Sequence, residues 1–244
     1  IVRLRSAFET ESLLVLELEL MSGVDLFDRL SSGGVLSDAE AAGLVRNVLR
    51  AASFCARLGM AHRDIKLSNL IYPRRRGGGG SGGGGGACAD PRCVRLGDFG
   101  MVGLHDKAGL LHGRCGTPGY VAPEILHAGV NAGYAGNVDA FSIGVVAYTV
   151  LCGYEPFYGV NERLLIAANK AGRYEFHMPE WEGVPDDAKD LVAALLERDP
   201  AKRLTPEAAL SHPWLLRHAP YNDAADAGAG DGAAAVGQQG CVVA

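Results

Sequence analysis

The chain has 244 residues with a formal net charge of −5, and 48% of the residues are hydrophobic. This hydrophobic fraction is sufficient for the core of a globular domain. The acidic balance argues against a nucleic-acid-binding surface, which needs clustered Lys and Arg. No apolar run reaches the ~18 residues that a transmembrane helix requires.

The N-terminal part predicts a hairpin followed by helices. IVRLRSAF and LLVLELEL are apolar, partly alternating runs separated by ETES, a pattern typical of two antiparallel strands. A short helix is predicted around VDLFDRL. Ser37 stands three residues before Glu40, which predicts a capping box at the start of a long amphipathic helix that Gly59 ends.

A polar loop, HRDIKLSN, follows this helix, and a Gly-rich segment at about residues 74–92 comes next. The Gly-rich segment is interpreted as a linker between domains, as an insertion in a hairpin loop or as an engineered linker. An insertion is inexpensive, because each doubling of loop length costs only about 0.6 kcal/mol. The strand-like VRLGDFG follows it.

The sequence of the C-terminal half predicts several helices around one buried central helix. VDAFSIGVVAYTVLCG is apolar on all sides, as expected of a helix in the middle of a core. Helices are also predicted at NERLLIAANKA, at DDAKDLVAALLERD and at TPEAALSH, where Thr205 caps and Pro206 occupies the first turn. Residues 217–244 are rich in Gly and Ala and predict a disordered tail.

The cysteines favour a reducing, cytoplasmic environment. Cys88 and Cys93 have no second pair at zinc spacing, so no metal site is predicted there. The last four residues, CVVA, fit the pattern for prenylation of Cys241, and the alternative is an unmodified tail. A single lipid without a polybasic stretch predicts only weak membrane attachment.

Six motifs occur in an order that is informative as a set. They are HRDIKLSN, GDFG, GTPGYVAPE, DAFSIGV, RDPAKRLT and HPW. Together they resemble the protein kinase family over residues 1–216, and LFDRL and CGYEPF are most similar to its calcium/calmodulin-dependent and plant-type calcium-dependent group. The resemblance implies an α+β fold, with a mostly helical C-lobe and a partial N-lobe hairpin.

By this resemblance the chain is a protein serine/threonine kinase that uses ATP and Mg²⁺. Asp64 is expected to orient the substrate hydroxyl and accept its proton, and Lys66 to stabilise the transferred γ-phosphoryl group. Asn69 and Asp98 are expected to bind Mg²⁺, and Thr117 to hydrogen-bond towards Asp64 and Lys66. These side chains suit a reaction that depends on positioning and charge neutralisation.

The resemblance also implies an adenine site on the N-terminal hairpin. Leu18 corresponds to the gatekeeper, and the Glu19 carbonyl and Met21 amide are expected to face the adenine edge. Asp25 is expected near the ribose, and Ile71 beneath the base.

Other matches imply structural roles. Glu124 is expected to pair with Arg203, and Asp139 to cap backbone N–H groups of the catalytic loop. An apolar stack is expected from three further residues: His62, Phe99 and Leu4.

The sequence departs from the family pattern in several places. A Gly-rich loop, a strand Lys and a helix Glu would precede Ile1, so we expect an N-terminally truncated chain that is inactive alone. Arg63, which pairs with a loop phosphate in many family members, has no obvious phosphate to meet. Ser68 and Thr149 stand where acidic residues occur in kinases directed to basic substrates, so a basic residue two before the acceptor is expected to improve a substrate little. Asp25 still offers a carboxylate that could attract an Arg three before the acceptor.

The alternative function is a non-catalytic kinase-like binding module or scaffold. The presence of Asp64, Lys66, Asn69 and Asp98 favours the enzyme, because a fold used only for binding has no chemical need for them. The absence of phosphate-clamping parts favours the binding module.

Overall fold

The computed structural model describes residues 1–74, 88, 90–127 and 133–218. Helices form most of its regular structure. In chain order they are α1 Leu26–Gly33, α2 Asp38–Arg57, α3 Pro123–His127, α4 Val138–Cys152, α5 Glu162–Ala171, α6 Asp186–Leu195, α7 Pro206–Ala209 and α8 Pro213–His218. Among the described residues, none of these helices is both long and apolar enough to cross a bilayer.

The strands are short, and within the described ranges they pair antiparallel in four small sheets. They are β1 Leu4–Glu9, β2 Leu14–Leu18, β3 Met21–Asp25, β4 Met60–Ala61, β5 Leu70–Pro73, β6 Arg95–Leu96, β7 Gly103–Leu104, β8 Leu110–Leu111 and β9 Tyr134–Ala135. The pairings are β1 with β2, β3 with β5 and β5 with β6, β4 with β7, and β8 with β9. This mixture of helices and antiparallel sheets confirms the predicted α+β fold.

The core is built around α4, all fifteen residues of which are buried. Its apolar sequence has no polar face, so the helix is stable only when other elements surround it. Helices α2 and α6 both pack against it. Phe141 is fully buried, stacks on Phe157 with ring centroids 5.7 Å apart and lies under the Arg203 guanidinium.

Helix α2 begins as its sequence predicts. The Ser37 side chain accepts from the Glu40 N–H while the Glu40 carboxylate accepts from the Ser37 N–H, which forms the capping box. Its buried residues, which include Leu44, Val48 and Ala52, recur at helical spacing and face the core. The loop of residues 62–69, which is predicted to be catalytic and is called the catalytic loop below, follows α2 after the two-residue strand β4.

The N-terminal hairpin has little cover on either face, and most side chains of β1 and β2 are exposed. It is joined to the rest of the protein through backbone contacts at its base, where the Val2 N–H donates to the Leu96 carbonyl. Leu4 is 53% exposed on β1. Leu4 is therefore not a buried member of the apolar stack expected with His62 and Phe99, because no other element in the described part of the chain covers this strand.

The Gly-rich segment connects two paired strands. Leu70 pairs with Leu96 and Ile71 with Arg95, and the Cys88 N–H donates to the Pro73 carbonyl. Residues 75–87 and 89 lie outside the described residues. At the other end α8 runs to His218, so it includes the first two residues of the tail predicted at 217–244. The rest of that tail, with Cys241 and its predicted prenylation, also lies outside the described residues.

We predict that Phe141→Ala lowers the free energy of unfolding by about 3–5 kcal/mol, because it opens a cavity beside Phe157 in the middle of the core. Phe27→Ala is the matched control, since Phe27 is 58% exposed on α1. Urea denaturation of both variants measures the difference. Equal losses would show that α4 is not the centre of the core.

Candidate active site

The catalytic loop is held by a carboxylate of the buried helix α4. Asp139 accepts hydrogen bonds from the backbone N–H groups of His62, at 2.7 Å, and Arg63, at 2.8 Å. Burial raises the pKa of Asp139, and the two N–H donors act in the opposite direction. The predicted capping role of Asp139 is confirmed.

Four predicted site residues meet in one polar network. The Thr117 hydroxyl donates to Asp64 Oδ1 at 2.7 Å and accepts from Lys66 Nζ at 2.9 Å. Lys66 Nζ also lies 2.9 Å from Asp64 Oδ2. Asn69 Nδ2 donates to the Asp64 carbonyl at 2.8 Å and to Oδ2 at 3.1 Å. The predicted contacts of Thr117 with Asp64 and Lys66 are confirmed.

The network determines the charge of Asp64. Burial alone would raise its pKa, but hydrogen bonds from Thr117, Lys66 and Asn69 outweigh burial and hold the pKa below its ordinary value. Asp64 is therefore a carboxylate at neutral pH. A carboxylate with a lowered pKa is a weak base, so its geometry suits orienting a hydroxyl more than early removal of the proton.

Asp98 approaches the same region from the Asp-Phe-Gly segment. The Gly97 N–H donates to the Asn69 carbonyl at 2.9 Å, which brings this segment alongside the catalytic loop. Asp98 has a positive φ of 55° and an exposed side chain that accepts from the Gly100 N–H. A residue with a side chain in this conformation is strained, which is common at functional sites.

The two residues predicted to flank the nucleotide from strands lie opposite each other. Asp25 and Ile71 are paired across β3 and β5. The Asp25 carboxylate accepts from the Asp28 N–H and caps α1, and Ile71 Cδ1 lies against Gly97, where an added Cβ would be only 3.2 Å away. Glycine at this position therefore leaves room for Ile71.

The predicted adenine-edge residues occupy the connection from β2 to β3. Glu19 follows Leu18 at the end of β2, and both its backbone N–H and its carboxylate bond to the backbone of Arg3. Met21 begins β3 and pairs with Pro73. Their roles towards adenine remain predictions, since these contacts describe only how the protein holds them.

His62 joins the catalytic loop to the Asp-Phe-Gly segment. Its ring lies edge-on to Phe99 with centroids 4.7 Å apart. Nε2 donates to the Gly97 carbonyl at 2.9 Å, because a carbonyl can only accept, and Nδ1 accepts from the Asp64 N–H. The predicted contact between His62 and Phe99 is present, without Leu4.

Arg63 binds the loop that follows the Asp-Phe-Gly segment through backbone oxygens. Its guanidinium donates to the carbonyls of Met101, Val102 and His112 and to the Tyr134 hydroxyl, at 2.7–3.2 Å. No sequence motif predicted the contact with Tyr134, because that residue is distant along the chain from Arg63 and belongs to none of the motifs. Arg63 therefore holds this loop through three backbone carbonyls, and it also bonds the hydroxyl of Tyr134.

A buried ion pair supports the substrate loop, residues 116–124. Arg203 is 3% exposed and donates to both carboxylate oxygens of Glu124, at 2.6 and 2.9 Å. This bidentate arrangement is the one that the guanidinium geometry favours. The predicted pairing is confirmed, and it connects the segment after Thr117 to the C-terminal helices.

The fold is that of a protein kinase domain. The family model described as "Protein kinase domain" matches residues 1–215. The chain therefore belongs to the protein kinase family.

Two curated relatives show which protein kinases this chain is similar to. Calcium/calmodulin-dependent protein kinase type 1 from Caenorhabditis elegans is 38% identical over 221 residues, which cover 91% of this chain and 59% of the relative. Type 1B from Mus musculus is 37% identical over 222 residues, which cover 91% of this chain and 60% of the relative. The chain thus spans about three fifths of the length of these relatives.

We predict that Arg63→Lys loosens the loop at residues 101–113, because a single ammonium group cannot reproduce the four hydrogen bonds of the guanidinium. Amide hydrogen exchange in this loop is expected to accelerate by about tenfold or more, while exchange in α2 stays unchanged. The matched control is Arg57→Lys, on an exposed position of α2. Unchanged exchange in the Arg63 variant would show that other contacts hold the loop.

Proposed function

We propose that this protein transfers the γ-phosphoryl group of ATP to Ser or Thr hydroxyls of protein substrates. The observation that carries the proposal is the network of Asp64, Lys66, Asn69 and Thr117. It combines an ionised carboxylate that can orient a hydroxyl with an ammonium group that can stabilise negative charge. The curated relatives, which are named as calcium/calmodulin-dependent protein kinases, support the same activity.

Each member of the network has a separate task in this proposal. Asp64 accepts a hydrogen bond from the substrate hydroxyl and takes its proton as the bond to phosphorus forms. Lys66 stabilises the charge on the transferred group. Thr117 keeps the side chains of Asp64 and Lys66 in fixed positions relative to each other, because its hydroxyl forms hydrogen bonds with both. Positioning of this kind is the main contribution that a protein makes to phosphoryl transfer.

The donor set fits Mg²⁺ bound together with a triphosphate. Asn69 Nδ2 bonds to Asp64, which leaves the amide oxygen available, and the Asp98 carboxylate is exposed. Among the described residues no three His, Cys, Asp or Glu side chains cluster as a metal site. Two protein oxygens completed by phosphate and water suit Mg²⁺, which would offset the triphosphate charge when bound.

The nucleotide would lie between the strands and the catalytic loop. We propose that Glu19 and Met21 contact the adenine edge through their backbone, that Asp25 binds the ribose, and that Ile71 supports the base. The pairing of Asp25 with Ile71 supports this arrangement, because it puts a carboxylate and an apolar side chain at one position of the sheet. The expectation that residues 1–244 are inactive by themselves stays a prediction.

We predict that Asp64→Asn lowers transfer of phosphate from Mg-ATP to a Ser-containing peptide by about 10²–10⁴-fold, because the amide cannot accept the proton. Asp186→Asn, at an exposed position of α6, is the control and should retain the wild-type rate. The assay uses the longest natural form of the chain. Thermal unfolding of each variant verifies that it is folded.

Two results would contradict the proposal. Transfer that does not depend on Asp64 would place the chemistry elsewhere. A folded wild-type protein that binds peptides without transferring phosphate would instead support the binding module or scaffold.

A further inference from the structure

Glu155 contacts the substrate loop from the turn that follows α4. Its Oε1 accepts from the hydroxyl of the buried Tyr120 at 2.6 Å. Its Oε2 lies beside Gly119, since a Cβ added to that glycine would be 3.8 Å from this oxygen. The Gly119 N–H donates to the buried Asn169. The loop is thus fixed against α5 while the Glu155 carboxylate borders it.

The carboxylate of Glu155 has no cationic partner among the described residues. Glu155 is exposed and forms no ion pair with any Lys, Arg or His in the described part of the chain. Burial raises the pKa of Tyr120, and the neighbouring Glu155 raises it further, so the tyrosine stays neutral and only donates a hydrogen bond. A negative charge is therefore left facing solvent at the edge of the loop.

This charge is close to the place where a substrate hydroxyl would react. Thr117 bonds to Asp64, and the Tyr120 N–H donates to the Thr117 carbonyl, which closes a turn between them. The ends of such a turn are less than about 7 Å apart. An extended peptide advances about 3.3 Å per residue. Gly119 lies inside this turn, and a Cβ added there would be 3.8 Å from Glu155 Oε2. Glu155 is therefore within reach of a side chain a few residues from the acceptor.

We propose that Glu155 is a specificity-determining residue that selects substrates with Arg or Lys within three residues of the acceptor Ser or Thr. The inference rests on the proposed kinase function and deepens it. It also revises the expectation drawn from Ser68 and Thr149, because the acidic group comes from the turn after α4 and not from those two positions. A hydrogen bond between two charged groups is stronger than a neutral one, which makes such selection effective.

The test compares peptides in which one Arg is moved through the three positions on either side of a Ser acceptor with a peptide that has Ala throughout. Wild-type protein should show a lower KM for at least one Arg peptide than for the Ala peptide. In Glu155→Gln, which keeps an acceptor for the Tyr120 hydroxyl, that KM should rise about 3- to 10-fold with kcat little changed. The KM for the Ala peptide should be the same in both proteins. The difference between wild type and Glu155→Gln in the KM for the Arg peptide should shrink with added salt.

Glu207→Gln removes an exposed acidic side chain from α7 and is the matched control for net charge. It should leave every KM at the wild-type value. Glu155→Lys should reverse the preference, so that a peptide with Glu at the selected position has the lower KM. The inference would be overturned if the ratio of the KM for the Ala peptide to the KM for the Arg peptide were the same in wild type and in Glu155→Gln.

A binding arm separates this inference from the proposed function. Fluorescence polarisation measures the affinity of labelled peptides in which Ala replaces the acceptor Ser, without ATP. If wild-type protein transfers no phosphate, the proposed function fails, and the binding arm still tests Glu155. Weaker binding of the Arg peptide to Glu155→Gln alone supports the inference, and equal binding to both proteins contradicts it.

Discussion

The arrangement of the site depends on one buried carboxylate. Asp139 lies in the first turn of α4, the most enclosed helix of the protein, and accepts the backbone N–H groups of His62 and Arg63. A buried carboxylate is costly unless hydrogen bonds satisfy it, and the loop N–H groups are equally costly when they lack an acceptor. The Asp139 carboxylate and the two loop N–H groups therefore satisfy each other, and this fixes the loop backbone relative to the core.

The two residues held by Asp139 extend this constraint in two directions. The His62 ring reaches Gly97 and Phe99, while the Arg63 guanidinium binds carbonyls of the loop after the Asp-Phe-Gly segment. Asp64 comes next in the chain and meets Lys66 and Thr117. The buried, mostly apolar helix α4 thus positions both the polar network and the segment that carries Asp98, because its Asp139 holds His62 and Arg63.

Much of this arrangement could be predicted from the sequence because short motifs encode it. The capping box of Ser37 and Glu40 is a local pattern, and the partners of Asp139 and Thr117 were expected from the order of the motifs. The contacts of Tyr134 and Glu155 were missed, because side chains far apart in sequence meet only through tertiary packing. Glu155 lies within CGYEPF, which was noted for its resemblance and not for its charge. Leu4 was expected in an apolar stack because of the family resemblance, and short motifs do not encode which elements cover the strand that carries it.

The most direct test of this account is amide exchange at His62 and Arg63, resolved by NMR, in wild type and in Asp139→Ala. We expect these two amides to exchange slowly in the wild type, since they point into a buried carboxylate. In the variant they should exchange at least about tenfold faster, together with those of residues 64–69, while α5 keeps its wild-type exchange. Slow exchange of both amides in a folded Asp139→Ala protein would contradict the claim that this carboxylate fixes the loop.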